Sequence, residues 1–387
     1  MKALALVDAP DHVCCRYRLR AFEPALHTSG GSLSVQAIAR GALGRWRQLG
    51  QAGDYDSVIL QRKLLPTWQL QRLRRRARHL VFDFDDAVLY RDSYDLRGPS
   101  CRRRAARFAA IVRSADAVIA GNDFLADCAL RFGASVGRVH VIPTCIDTRR
   151  YRPSEHVERS AEKASTPHPN PPPRGGRENE DPLPPRGGGL GWGGTAEGAG
   201  LDLVWIGSSS TLQGLELQRP LWERIGREVP GARLRVICDR FPSFEALPVV
   251  AVPWSGSTEA EALAAGDVGI SWIPDDLWSR GKCGLKVLQY QAAGLPVLAN
   301  PVGVQAEMVV PEVSGLLATT PDEWVEAVRR LATAPALRLR MGRAARASVE
   351  SRYSVAAWAE TFVAAIAPPK PVRRPVGCLP RTNSVRR

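Results

Sequence analysis

The sequence lacks several features that would each indicate a particular class of protein. No apolar run approaches the about 20 residues that a membrane-spanning helix needs, and the opening MKALALVDAP has an acidic residue where a secretory signal would stay apolar. The eight cysteines include no C-x-x-C pair and the six histidines do not cluster, so we expect neither a zinc site nor a disulfide framework. These absences favour a cytoplasmic protein with reduced thiols.

A nucleic-acid-binding motif is also missing. The net charge is +14, but no helix-turn-helix, zinc-finger or RNA-motif pattern accompanies it, so we expect no nucleic-acid partner. Part of the charge lies in residues 367–387, a Pro-rich basic tail that we expect to be disordered. Two arginine runs, 72–78 and 102–107, look helical and predict a positive face. Such a face could contact anionic lipid at the inner side of a membrane or a phosphorylated substrate, and it could equally be a solvated surface.

Proline and glycine are concentrated in one stretch. Residues 166–200 hold eight prolines and ten glycines, and the string PPRGG occurs at 172 and again at 184. Regular secondary structure does not survive that density, so we predict a disordered low-complexity linker over 154–200. The linker divides the chain of 387 residues into two halves, each long enough for a domain.

Each half alternates short apolar runs with segments of helical period, which is typical of βαβ units in parallel sheets. The predicted strands are 3–9, 57–60, 79–84, 117–121, 139–143, 203–207, 234–238, 267–273 and 296–300. The predicted helices between them are 102–113, 123–132, 258–265, 284–293 and 322–333. We therefore predict an α/β fold of two Rossmann-like, doubly wound domains, with a ligand cleft between the carboxyl ends of both sheets.

A first candidate site is VWIGSSSTLQG at 204–214, where an apolar strand runs into a small polar turn. Backbone N–H groups and hydroxyls at a helix start suit a diphosphate. The segment has neither the lysine of a P-loop nor the G-x-G-x-x-G spacing, so an ordinary strand-to-helix turn is an equal alternative. The candidate donor-binding residues here are Gly207, Ser208, Ser209 and Thr211.

A second candidate site is SRGKCGLKVLQYQAAGLP at 279–296, which follows the predicted strand ISWI. Arg280, Lys282 and Lys286 therefore stand at the carboxyl end of a strand, which is the ligand side of such a sheet. A buried lysine without a partner loses its charge or lowers stability, whereas an anionic ligand would hold both lysines there. The alternative is two lysines that reach solvent at a helix start.

The string KCGLKVLQYQAAGLPVLANPVGVQAEMVVPEVSGLL at 282–317 resembles the nucleotide-sugar-binding core of glycosyltransferase group 1, family four, of the GT-B enzymes with two Rossmann-like domains. Further segments follow in the expected order: RYR at 16–18, FDFDDAVLY at 82–90, ADAVIAGNDFLADCA at 115–129, VIPTCIDTRRYRP at 141–153 and IGSSST at 206–211. The resemblance implies an acceptor domain at 1–153, a nucleotide-sugar domain at 201–350, and a helix at 351–366 that crosses back to the first domain.

The resemblance also implies donor-binding roles. Family members commonly place two glutamates, with seven residues between them, around the donor sugar and ribose, and this sequence has Gly281 and Gln289 at those positions. Gln289 keeps a carbonyl acceptor for ribose hydroxyls. The family's usual Arg/Lys pair on the donor phosphates is not evident after Gly207. The residues that would replace it are Arg280, Lys282 and Lys286, with Gly284 beside them.

Catalytic and acceptor roles follow from the same resemblance. Glu307 matches the family glutamate after the glycine turn and would contact the donor sugar. Asp85 and Asp86 lie near the family's sugar-binding loop, where they could orient or deprotonate the acceptor hydroxyl or could simply cap the next segment. Arg16 and Arg18 would bind a phosphate of a lipid-linked acceptor.

The implied activity is that of a retaining glycosyltransferase of hexosyltransferase type, acting on a nucleotide sugar and a glycan or lipid-linked acceptor in polysaccharide biosynthesis. We expect no metal or other cofactor, because the basic residues around 280–286 would neutralise the departing diphosphate. The missing glutamates leave a second hypothesis open. In that hypothesis the chain is a catalytically idle GT-B protein that binds nucleotide sugar or a partner in a cell-surface glycan assembly.

Overall fold

The computed structural model describes residues 1–153 and 200–369. The predicted disordered linker, apart from Gly200, and the basic tail beyond residue 369 lie outside the described residues. Within the described ranges the chain forms two parallel six-stranded sheets covered by helices.

The first sheet has the strand order β2-β1-β3-β4-β5-β6, and every neighbouring pair is parallel. Its strands are β1 Lys2–Val7, β2 Ser32–Ala37, β3 Ser57–Gln61, β4 Leu80–Phe84, β5 Ala117–Ala120 and β6 Val139–Val141. Its helices are α1 Val13–Arg18, α2 Glu23–Thr28, α3 Ala42–Gly50, α4 Thr67–Arg76, α5 Arg102–Ser114 and α6 Asp123–Arg131.

The second sheet has the order β12-β11-β10-β7-β8-β9, again with parallel neighbours throughout. Its strands are β7 Leu201–Ile206, β8 Ala232–Cys238, β9 Val249–Pro253, β10 Val268–Ser271, β11 Val297–Ala299 and β12 Gly315–Leu317. The helices of this half are α7 Ser209–Leu217, α8 Arg219–Glu228, α9 Glu259–Ala264, α10 Leu277–Arg280, α11 Leu285–Ala292, α12 Gln305–Met308, α13 Pro321–Thr333, α14 Pro335–Arg352 and α15 Val355–Ile366.

All nine predicted strands and all five predicted helices are present, with ends that differ by at most two residues. Both arginine runs begin in helices, although α4 ends at Arg76, before the end of the first run. The predictions missed β2, β9 and β12. The first two are sheet-edge strands whose side chains are partly exposed, so they lack the buried apolar run that identifies the others, and the third has only three residues.

The inner strands of each sheet are mostly apolar and are buried on both faces. In the first domain Phe84 of β4 packs edge-on against Phe108 of α5, with ring centroids 5.3 Å apart. The last helix, α15, follows the second domain in the chain but packs on the first, where Phe362 stacks on Phe22 at 4.3 Å. The predicted pair of doubly wound α/β domains is therefore confirmed.

The order of the second sheet reverses between β7 and β10, which run side by side although their connections leave in opposite directions. In doubly wound sheets such a switch point opens a crevice at the carboxyl ends of the strands. Both candidate motifs, at 207–211 and 280–286, follow the two strands that form this switch point. Among the described residues, none of the helices combines the length and apolar composition needed to cross a membrane.

Candidate functional site

The carboxyl ends of the two sheets meet, and the segment Gly281–Lys286 lies between them. Asn122, after β5, donates its side-chain amide to the Lys282 carbonyl oxygen at 3.1 Å. The Lys282 ammonium lies 3.8 Å from a carboxylate oxygen of Asp86, after β4. The two domains are thus in direct contact at the predicted cleft, and the lysine segment of the second domain lies against the first.

The turn after β7 is held by its own hydroxyls. Thr211 Oγ1 accepts from Ser208 N at 3.2 Å and donates to the Ser208 carbonyl oxygen, so the two residues form a capping box at the start of α7. A Cβ atom at Gly207 would lie 2.5 Å from the indole of Trp205 and 2.6 Å from Thr211 Oγ1. Only glycine fits there, because the chain passes directly over the Trp205 ring.

One N–H group of this turn already binds an anion. Ser209 N donates to the Asp239 carboxylate at 2.7 Å. A side-chain hydrogen bond from Ser209, together with the Cys238 thiol and this backbone contact, lowers the pKa of Asp239 to about 2. The expectation that Ser209 N–H meets a diphosphate is therefore corrected, because the carboxylate of Asp239 fills that position. The contact nevertheless shows that the helix start favours negative charge.

Lys286 has no acidic partner among the described residues at this edge. Its ammonium lies 3.9 Å from the centroid of the Trp205 ring, and no ion pair joins it to a carboxylate in the part of the chain that the structure describes. Burial, with the neighbouring charge of Lys282, lowers the pKa of Lys286 to about 7. An anion beside Trp205 and Gly207 would restore the charge of this lysine.

Lys282 belongs to a second charge cluster, which includes the two predicted catalytic aspartates. Arg62, after β3, donates to the Asp86 carboxylate and to Cys14 Sγ, and its Nε lies 3.5 Å from Asp85 Oδ1. Burial raises the pKa of Asp86, and the charges of Lys282 and Arg62 oppose that rise. Both aspartates are thus tied to cations, with Arg62 as the central residue, which sequence reasoning missed.

Two glycines fix the path of the lysine segment. A Cβ atom at Gly281 would lie 2.6 Å from Ala87 Cβ and 2.9 Å from Ala87 N of the first domain. No glutamate side chain fits at Gly281 in this arrangement, which accounts for the departure from the family pattern. Gly284 has a φ of +65° and its Cβ would lie 2.5 Å from Met308 Sδ, so both conformation and space require glycine at the start of α11.

Gln289, the second departure, faces the other domain. Its side chain is 4% exposed and donates to the Tyr17 hydroxyl at 3.2 Å. That hydroxyl lies at the edge of a buried network around Glu259, whose carboxylate accepts from Arg16, Tyr17, Tyr151 and Trp254 at 2.7–2.9 Å. The side chain of Gln289 is therefore enclosed, with its amide directed to Tyr17, rather than open to a ribose.

The Glu259 network is a feature of the domain junction that the sequence did not reveal. Burial raises the pKa of Tyr17 to about 12, and the Glu259 carboxylate adds to the rise. Glu259 itself keeps a lowered pKa, because its hydrogen bonds and the Arg16 charge outweigh the cost of burial. Its partners come from three separate segments of the chain, so only the fold brings them together.

The structure corrects both predicted acceptor contacts. Arg16 pairs with Glu259 at 2.8 Å across the domain junction. Arg18 is 2% exposed, pairs with the fully buried Asp83 at 2.5 Å, and donates to the Ile142 carbonyl oxygen. Arg18 is enclosed, and the Arg16 side chain, although 22% exposed, already has a protein carboxylate as its partner, so neither is a free cation for a phosphate.

The remaining predicted residues lie at the surface. Arg280, at the end of α10, is exposed and pairs with Asp275 at 2.8 Å. Glu307, in the short helix α12, is exposed, and its carboxylate raises the pKa of Tyr353 in addition to the effect of burial. No hydrogen bond or ion pair joins Glu307 to Lys282, Lys286, Asp85 or Asp86, so its predicted sugar contact stays a prediction.

Comparison with known proteins supports this architecture. Residues 217–364 match the model of a family described as glycosyl transferase-like. No curated protein matches the chain. Sucrose-phosphate synthase from Thermosynechococcus elongatus superposes with a TM-score of 0.64 at 14% identity, over 93% of this chain and 97% of that one.

Two further solved structures are similar. HepE from Anabaena, in complex with UDP-glucose, superposes with a TM-score of 0.61 at 14% identity. The match covers 94% of this chain and 98% of the HepE chain. A glycosyltransferase from Rickettsia africae has a TM-score of 0.62 at 11% identity, over 94% and 97% of the two chains. At these identities the likeness shows the fold. The chain therefore has the two-domain GT-B fold of glycosyltransferases, and its second domain matches the glycosyl transferase-like family.

Proposed function

We propose that the chain transfers a sugar from a nucleoside-diphosphate sugar to a hydroxyl of a glycan or lipid-linked acceptor, with retention at the anomeric carbon. The observation that carries the proposal is the position of Lys286. Its ammonium lies over the Trp205 ring, which also packs against Gly207 at the switch point of the second sheet. No carboxylate among the described residues pairs with it. HepE, which has the same fold, binds UDP-glucose, so a donor diphosphate is the anion that best suits this place.

The role of the basic residues is electrostatic. A departing nucleoside diphosphate gains negative charge, and a cation already fixed in a partly buried site stabilises it without reorganisation. Lys286 is placed for that task, and Lys282 lies four residues earlier, before the helix begins. The Lys286 ammonium gains from the diphosphate, because burial and the Lys282 charge lower the pKa of Lys286 while the site holds no anion.

The acidic residues support retention. An inverting displacement needs a protein base, such as a carboxylate or an imidazole, to take the acceptor proton. Asp85 and Asp86 are instead held by Arg62 and Lys282. In a retaining transfer the departing phosphate can accept that proton, so no protein base is required.

We also propose that the reaction needs no divalent metal. Ligand atoms of Cys14, Asp85 and Asp86 lie within 4.8 Å of one another, a spacing that could hold an ion. Arg62, however, donates to both Cys14 and Asp86 and supplies the positive charge in that cluster. We expect transfer to continue in the presence of EDTA, and loss of activity that Mg²⁺ or Mn²⁺ restores would contradict this.

The experiment is a thermal-shift panel of UDP, GDP, ADP, dTDP and their sugars. A ligand at 100 times its Kd stabilises the folded state by about 2.7 kcal/mol, which is readily measured. We expect one nucleotide class to stabilise the protein, Lys286→Ala to abolish the effect, and Lys2→Ala, which removes a lysine at the start of β1, to leave it intact. Proton NMR of the product made from that donor then reports the anomeric configuration, and inversion would contradict retention.

One observation favours the idle binding protein. Gly281 and Gln289 replace the two family glutamates, and neither has an open side chain: Gly281 packs on Ala87, and Gln289 bonds to Tyr17. In that case the nucleotide sugar would bind through Lys286, but the bond between its sugar and its phosphate would not be cleaved. Slow release of nucleoside diphosphate from the bound nucleotide sugar separates the two candidates, because an idle protein releases none above the rate in buffer.

A further inference from the structure

A basic cavity of about 580 Å³ lies in the first domain at its border with the second. Seven of its lining residues are Arg or Lys, whereas Asp8 is the one acidic residue among them. Trp278 of α10 closes it from the side of the second domain. Its volume is in the range of small-molecule sites, and the donor-binding role proposed for Lys286 does not involve it.

Three of these cations belong to the first two turns of α5. Arg104 donates to the Tyr90 carbonyl oxygen at 2.8 Å and Arg107 to that of Leu64 at 3.4 Å. No ion pair joins Arg103, Arg104 or Arg107 to a carboxylate within residues 1–153 and 200–369. Cations near a helix start oppose the helix dipole, so this arrangement lowers stability until an anion offsets it.

Among the remaining cations, Lys63 pairs with Asp8, and Arg91 and Arg97 pair with Asp95. Arg62 connects the cavity to the cluster around Asp86. Arg62 lines the cavity and also donates to Asp86, which in turn lies 3.8 Å from the Lys282 ammonium. Arg62 has a φ of +57°, which is uncommon for a residue with a side chain and marks a backbone position held by its surroundings. The cavity therefore adjoins the Asp85–Asp86–Lys282 cluster, on the segment that also carries Lys286.

The positive potential of the cavity also acts on a neighbouring thiol. Cys101 lines the cavity just before α5. A hydrogen bond from the Arg104 backbone, with the charges of Arg91 and Arg104, lowers the pKa of this thiol below its ordinary value. A site that favours a thiolate also favours a bound anion.

From this geometry we infer that the cavity binds a phosphate group of the acceptor, so the acceptor is anionic. Several guanidinium groups around one space suit a group with multiple charges and several oxygen atoms, such as a phosphate monoester or a diphosphate. This inference rests on the proposed glycosyl transfer, and it replaces Arg16 and Arg18 as the acceptor's phosphate contacts. The phosphate belongs either to a lipid-linked diphosphate or to a soluble sugar phosphate.

The test is calorimetric titration with inorganic pyrophosphate on a Lys286→Ala background, which removes the proposed donor-phosphate contact. We expect Arg103→Ala with Arg107→Ala to weaken pyrophosphate binding about tenfold or more, since hydrogen bonds to charged groups contribute at that level. Arg102→Ala is the matched control. This exposed arginine lies on the same helix but does not line the cavity, so its loss should change Kd less than about twofold.

Equal weakening in the control, or no pyrophosphate binding to Lys286→Ala, would overturn the inference. The titration is repeated with citronellyl diphosphate, which represents a lipid-linked diphosphate, and with glucose 1-phosphate, which represents a soluble sugar phosphate. The ligand that binds more tightly than pyrophosphate identifies the source of the phosphate. The donor panel is measured in parallel on the Arg103/Arg107 variant. If no nucleotide binds while pyrophosphate binding still depends on these arginines, the donor proposal fails and the anion site stands.

Discussion

At the scale of single residues, Lys286 has the most informative chemistry. A lysine whose pKa falls from 10.5 to about 7 on folding binds fewer protons in the folded state between these values. Its contribution to stability therefore decreases as the pH falls from 10 to 7. A bound diphosphate reverses the shift, because an adjacent negative charge favours the ammonium form. Donor binding and proton binding should consequently be coupled.

We predict that binding of the nucleotide sugar at pH 8 takes up about 0.9 proton per site, since a group with a pKa near 7 is mostly deprotonated there. Calorimetry in buffers of different ionisation enthalpy measures this number. Lys286→Arg is the matched control, because arginine is charged throughout this range, so its binding should take up no proton. The same uptake in wild type and Lys286→Arg would assign the proton to another group.

At the scale of secondary-structure elements, the start of α11 positions both lysines. Gly284 precedes the helix in a left-handed conformation, and its Cα approaches Met308 and Val304 of the α12 region closely. Gly284→Ala adds a Cβ where φ is +65° and where Met308 Sδ would be 2.5 Å away. Either the turn or the packed side chains of Met308 and Val304 must move.

We expect Gly284→Ala to lower the free energy of unfolding by about 1–3 kcal/mol and to weaken donor binding by displacing Lys286. Urea unfolding measures the first effect and the thermal-shift panel the second. Gly137→Ala is the control, because a Cβ at Gly137 meets nothing within 4 Å. A stable Gly284→Ala protein with unchanged donor affinity would show that the turn does not set the position of Lys286.

The elements themselves follow largely from the sequence. Buried apolar runs such as β4 and β7 predict their own position and their place inside a parallel sheet. The helix-start glycines and the basic residues after β10 were also predictable, because their positions follow from the strand ends. The partly exposed edge strands β2 and β9 were missed: β2 alternates polar and apolar residues instead of forming an apolar run, and β9 is a short run that ends in proline.

Side-chain partners across the domains could not be predicted. Glu259 looks like an ordinary acid in the first turn of a helix, and its partners Tyr17 and Tyr151 are more than 100 residues away in the chain. The same holds for Arg62, whose contacts to Asp86 and Cys14 depend on how three strand ends align. The charge pattern indicated the candidate site, but only the fold shows which charges are already paired.

At the scale of the whole molecule, the Glu259 network joins the two domains. Glu259 comes from the second domain and is 3% exposed, and its donors Arg16, Tyr17 and Tyr151 come from the first. The carboxylate is the one group that satisfies all three donors. Removing its charge would therefore weaken the contact that fixes the orientation of the domains and the width of the cleft.

We predict that Glu259→Gln lowers the free energy of unfolding at pH 7 by about 2–4 kcal/mol, because it leaves buried donors and the Arg16 charge poorly matched. The folded-state pKa of Glu259 lies below its ordinary 4.5. The charged form therefore stabilises the protein above about pH 4.5, and that stabilisation is lost as the pH falls through the folded-state pKa.

Chemical unfolding of wild type and variant at pH 7 and near pH 4 measures the difference. Glu261→Gln, an exposed glutamate two residues along the same helix, is the control and should have little effect. If the difference in free energy of unfolding between wild type and Glu259→Gln is the same at both pH values, the charge of Glu259 does not stabilise the junction.

The central claim, that Lys286 stabilises the departing diphosphate of a sugar donor, is tested most directly by the rate of nucleoside diphosphate release. The measurement uses the nucleotide sugar identified by the thermal-shift panel, under saturating conditions, with wild type, Lys286→Ala and Lys286→Arg. We predict measurable release by wild type, a kcat lower by about 10²–10³ in Lys286→Ala, and partial recovery in Lys286→Arg. Equal rates in wild type and Lys286→Ala, or no release above the rate in buffer, would contradict the account.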